Sequence, residues 1–89
     1  MSIFTGFPDD EIQSIVATAE DVERSLPGRS FTFYRVRKGG EVRVDIRSVR
    51  ECDKVQVFFR LPIKTALSPS VESIAFVARE IKRIEKEVE

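Results

Sequence analysis

Phe33-Tyr34-Arg35-Val36-Arg37-Lys38-Gly39-Gly40-Glu41-Val42-Arg43-Val44-Asp45-Ile46-Arg47 holds two extended runs on either side of a glycine pair. In the second run Val42, Val44 and Ile46 fall on one face and Arg43, Asp45 and Arg47 on the other, the period-two pattern of a half-buried strand. The first run belongs to a segment from Ser30 to Arg37 rich in β-branched and aromatic residues, and Lys38-Gly39-Gly40 reads as a turn. Downstream, Arg50-Glu51-Cys52-Asp53 reads as a second turn. A third strand runs from Val55 to Leu61, with Val55, Val57, Phe59 and Leu61 on one side and Pro62 ending it. Residues 30–61 are therefore expected to form a three-stranded antiparallel meander.

Working outward, Pro8 suits the first position of a helix, and Asp9, Asp10 and Glu11 suit its positive end. Ile12, Ile15, Val16, Ala19, Val22 and Leu26 make one apolar stripe, and Pro27-Gly28 stops it, giving a helix over 8–26. After Pro62, Ser68 as cap and Pro69 in the first turn start a second helix over 69–88. Its residues Ile74, Val77, Ile81, Ile84 and Val88 repeat at alternating three and four. The expected class is α+β, in the order α-β-β-β-α, with helices packed on the meander. The whole chain, 1–89, reads as a single domain with residues 1–7 as an N-terminal extension.

Composition narrows the chemistry. The chain has no histidine, asparagine or tryptophan and a single cysteine, Cys52, so it offers no imidazole base, no ordinary zinc site and no internal disulfide. The carboxylate clusters at Asp9-Asp10-Glu11 and Glu20-Asp21-Glu23 read as helix-start and solvated-face charges. Gly39-Gly40 is a hairpin turn and no phosphate loop, because no helix follows it. No enzyme activity, cofactor, metal or small-molecule substrate is expected. No apolar run approaches the roughly 20 residues that span a bilayer, and Met1-Ser2-Ile3-Phe4 has no basic region before an apolar stretch, so a cytoplasmic protein without a membrane role is expected. Charged residues form 34% of the chain and glutamine occurs at Gln13 and Gln56 alone, a usage that fits a heat-adapted source.

Net charge is zero but unevenly spread: residues 1–28 hold six acids and one base, and residues 29–61 hold nine bases and four acids. The basic sheet and the acidic first helix either complement each other, within one chain or across a dimer, or leave a basic binding face.

Hairpin register decides which residues make that face. A two-residue loop at Gly39-Gly40 would pair Arg37 with Val42 and Arg35 with Val44, setting arginines among core valines at a desolvation cost. A three-residue loop, Lys38-Gly39-Gly40, sets Val36 opposite Val42, Tyr34 opposite Val44 and Thr32 opposite Ile46. A four-residue loop, Arg50 to Asp53, pairs Ile46 with Val57 and Val44 with Phe59. The expected outer face then carries Arg35, Arg43 and Arg60 in one row, Phe33, Asp45 and Phe58 in the next, and Phe31, Arg47 and Gln56 after it. Like charges in a row repel, and phenylalanines on a wet face call for a cover. Nucleic acid, a second subunit, the protein's own helices or a small acidic ligand could each supply one.

Two families share the order of elements. The double-stranded-RNA-binding domain carries a basic motif at the start of its last helix, where this chain has Ser68-Pro69-Ser70-Val71-Glu72. The stretch Gly40-x-Val42-x-Val44-x-Ile46, then Cys52, then Val55-x-Val57, resembles the central hairpin of the YbaB-like nucleoid-associated family, and Arg83-Ile84-Glu85-Lys86 resembles its last helix. That resemblance covers about half the chain and implies a dimer that binds DNA.

The expected function is a small homodimer binding nucleic acid non-specifically. Arg35, Arg43 and Arg60 would meet phosphates, Arg37 and Arg47 would flank them, and Phe33 and Phe58 would pack or stack. The alternative is a structural or interaction module whose sheet face is buried by a second copy or another partner.

Overall fold

A computed structural model describes residues 2–88. Met1, the first residue of the expected extension, and Glu89 lie outside the described residues. The elements are β1 (Ser2–Thr5), α1 (Asp9–Ser25), β2 (Arg29–Lys38), β3 (Glu41–Arg50), β4 (Gln56–Pro62), α2 (Ile63–Leu67) and α3 (Val71–Val88). The protein is α+β, with the expected meander β2-β3-β4 and helices packed on it.

The meander has a fourth member. Within the expected extension, β1 joins β2 in parallel and makes a four-stranded mixed sheet in the order β1-β2-β3-β4. Four residues cannot announce a strand locally; β1 exists because Phe4 stacks on Phe33 with ring centroids 5.5 Å apart and meets Phe7 edge-on at 6.4 Å. The chain leaves β1 through Gly6, whose φ of 86° favours glycine and where a Cβ would sit 3.0 Å from the Arg35 carbonyl oxygen. Ser2 Oγ donates to a Glu23 carboxylate oxygen and ties β1 to α1.

The core lies between one face of the sheet and the helices. Ile15, Ala19 and Val22 of α1 and Leu26 at its C-cap meet Phe31, Phe33, Val44, Ile46, Val57 and Leu61, with Ala66 of α2 and Val77, Ala78 and Ile81 of α3. Thr18 Oγ1 donates to the Ala66 carbonyl oxygen at 2.6 Å, which fixes the short α2 against α1. The last helix is capped two residues later than expected: Ser70 Oγ, and not Ser68, accepts from the Ser73 N–H at 3.0 Å.

Both hairpin registers differ from expectation. The first loop is Gly39-Gly40: Lys38 pairs with Glu41, Arg37 with Val42, Arg35 with Val44 and Phe33 with Ile46. Gly39 and Gly40 have φ of 59° and 82°, the paired positive values of a turn whose twist matches the strands. This register buries Phe31 and Phe33 fully, where the expected one would have buried Thr32, Tyr34 and Val36. A buried phenylalanine contributes about 1.5–3 kcal/mol. The opposing cost is arginine desolvation, and α1 offsets it: Arg35 Nε and Nη2 donate to the Glu11 carboxylate at 2.7 and 3.1 Å.

The second hairpin keeps its expected faces but slides by two residues. Ser48 pairs with Val57, Ile46 with Phe59 and Val44 with Leu61, so the loop is residues 51–54. Lys54 takes φ of 63°, its N–H donates to the Arg50 carbonyl oxygen at 2.7 Å, and the Arg50 N–H donates to the Val55 carbonyl oxygen at 2.9 Å. Arg50 holds the Asp53 carboxylate with two bonds, at 2.9 and 2.6 Å.

Candidate interface on the open sheet face

The helices cover one side of the sheet, and the side chains of the other side follow from the register. One row across it is Ile3–Thr32–Arg47–Phe58, the next is Thr5–Tyr34–Asp45–Arg60, and a third is Val36–Arg43–Pro62. Of the expected site residues, Arg43, Arg47, Arg60 and Phe58 stand on this face together.

The others do not. Phe33 is a core residue, and Arg35 points to the helix side and is paired with Glu11, whose carboxylate accepts two of its hydrogen bonds and raises the guanidinium above its already high ordinary pKa. Arg37 also shares the parity of the helix side and is exposed near the turn. The row Arg35–Arg43–Arg60 is therefore not formed; Arg43 faces Val36 on one side and Pro62 on the other. In place of Phe33 the face gains Tyr34, half-buried at its centre, and Ile3 at its β1 edge. The signal that could have found Tyr34 was the glycine pair itself, since two adjacent positive-φ residues favour the two-residue turn.

Charge is concentrated around one carboxylate. Arg43 Nε donates to Asp45 Oδ1 at 3.1 Å, and Arg60 Nε approaches the same oxygen at 3.6 Å. Arg47 Nε donates to Gln56 Oε1 at 3.3 Å. Three guanidinium groups against one carboxylate leave this central region net positive. The Arg60 side chain is 67% exposed and therefore available to a ligand. A shallow depression beside it is lined by Asp45, Phe58, Phe59 and Arg60. On this face the large exposed apolar groups lie at the two ends of one row, Ile3 at 60% and Phe58 at 65% exposure.

Elsewhere the basic strands and acidic helices complement each other within the chain, as Arg35 with Glu11 and Arg29 with Glu85 demonstrate. Among the described residues no helix is long and apolar enough to cross a membrane. No family model, curated protein or solved structure matches the chain.

Proposed function

We propose that this is a cytoplasmic homodimer that binds nucleic acid non-specifically through the open face of its sheet. The observation that carries the reading is the coincidence, on the one face the helices leave uncovered, of Arg43, Arg47 and Arg60 with the rings of Tyr34 and Phe58. Guanidinium groups pair with phosphates by charge and by directed N–H donors. Aromatic rings on a sheet offer stacking surface to unstacked bases, whatever their identity. The likeness of the central hairpin to the YbaB-like family supports the same reading.

Fluorescence anisotropy with a labelled single-stranded oligonucleotide at two salt concentrations tests it. Three phosphate contacts per copy set a log–log salt slope of about −2 per copy. No binding at low salt, or binding indifferent to salt, sinks the reading.

A second reading places a protein partner on the same face. Asp45 favours it, because a carboxylate between Arg43 and Arg60 competes with phosphate, and Arg, Tyr and Phe are residues that interfaces favour. Under that reading Tyr34→Ala abolishes partner binding and the oligonucleotide never binds.

A further inference from the structure

Two exposed phenylalanines, Phe58 and Phe76, flank one strand. Phe58 projects from the open face of β4. Its neighbour Phe59 projects to the helix side, where its ring meets Phe76 of α3 edge-to-face at 6.1 Å. Phe76 itself remains 46% exposed. A partner lying flat on the open face could cover Phe58 but not Phe76, which is on the other side of the sheet. What the two rings share is the edge strand β4: Phe58 stands on it and Phe76 packs against its Phe59.

That edge is open: among the described residues β4 pairs with β3 alone. It is seven residues long against four for β1, the strand at the opposite edge. Native edge strands are blunted by charged side chains, prolines, bulges or brevity. In Gln56-Val57-Phe58-Phe59-Arg60-Leu61-Pro62 the one charge is Arg60 and the one proline is the last residue of the strand. Face-to-face pairing of two sheets, in contrast, would bury Asp45 and the arginines around it, with the desolvation cost of charges taken from water.

We propose that β4 is a dimer seam, pairing antiparallel with β4 of a second copy about a two-fold axis to make one eight-stranded sheet. This rests on the homodimer reading above and names its interface. A strand pairing antiparallel with itself meets its own residues in reverse order. Centred on Phe59, it sets Val57 opposite Leu61 of the partner subunit on the core side. It sets Arg60 opposite Phe58 of the partner subunit on the open side. An arginine over an aromatic face is attractive, and the chain already uses that contact: Arg79 Cζ lies 5.8 Å from the Phe76 ring centroid. The self-complementarity of the Phe58–Arg60 spacing is what selects a second copy over an unrelated strand. The open faces of the two copies then form one continuous platform, with two sets of Arg43, Arg47 and Arg60.

Sedimentation equilibrium of the full chain at micromolar concentration, with variants, tests the seam. Wild type is expected to be dimeric. Phe58→Lys and Phe76→Glu, on opposite sides of the sheet but beside the same edge, each weaken the dimer by about tenfold or more. Ile3→Lys and Arg47→Ala leave it intact, and circular dichroism checks that each variant is folded. A monomeric wild type overturns the proposal, as does a dimer that survives both β4-edge variants or one that dissociates on Ile3→Lys. The seam and the nucleic-acid reading fail separately. Arg47→Ala lowers oligonucleotide affinity without changing mass, whereas Phe58→Lys changes mass, so a dimer that binds no oligonucleotide keeps the seam and loses the function.

Discussion

Taking a carboxylate out of water costs several kcal/mol unless cations replace its lost hydration, and Glu85 of α3 is given two. It is 1% exposed; Arg29 holds it through Nε at 3.0 Å and Nη2 at 2.6 Å, and Arg50 Nη1 stands 3.6 Å away. Breaking such a buried pair by truncation leaves guanidinium charge uncompensated. Glu85→Ala is therefore expected to lower unfolding free energy by about 3–5 kcal/mol in urea titration. Ser48 is the opposite case: its Oγ is buried in the core face of β3 without a hydrogen-bond partner among the described residues. Ser48→Ala removes an unsatisfied polar atom, so it should be neutral or stabilising by up to about 1 kcal/mol in the same titration. At the exposed second turn, the bond from Arg50 lowers Asp53 from the ordinary 3.8 to about 2. A lowered folded-state value means the contribution is present above the ordinary value and lost as pH falls from there towards about 2. Thermal unfolding of Asp53→Asn should lie below wild type at neutral pH, and the gap should close across that acid window.

At the scale of elements, the register of β2 is the decision on which the candidate site turns. Phe33 and Tyr34 are adjacent, and the two hairpin registers exchange which of them is buried. With Phe33 in the core, Phe33→Ala is expected to cost about 3–5 kcal/mol, and Tyr34→Ala to cost much less while weakening oligonucleotide or partner binding. Equal costs, or the reverse order, would refute the two-residue turn. Period-two alternation was legible for β3 and β4 because each strand's faces depend on its own residues, and the inward set of Val44, Ile46, Val57, Phe59 and Leu61 stands as read. Arg43, Arg47, Arg60 and Phe58 were placed on the open face for the same reason. The helix-side place of Arg35 is not legible in its own strand, because the group that neutralises it, Glu11, is 24 positions away on another element.

For the whole molecule, ion pairs tie sheet to helix at both ends, Arg35 with Glu11 and Arg29 with Glu85. With 34% charged residues, no asparagine and two glutamines, the chain is expected to unfold above the roughly 45–65 °C usual for mesophile domains, measured by calorimetry. The amino-acid sequence by itself determined the class, the two long helices, the three strands of the meander and the faces of β3 and β4, since all of these follow from local periodicity and from turn and cap residues. The tertiary structure decided three further things: the parallel β1, the inward turn of Phe31, Phe33 and Arg35, and hence the composition of the open face. Each depends on a partner distant in the chain. Phe4 needs Phe33 to stack on, and Arg35 enters the helix side because α1 brings Glu11 to it, so that burying two phenylalanines outweighs an arginine cost that Glu11 offsets.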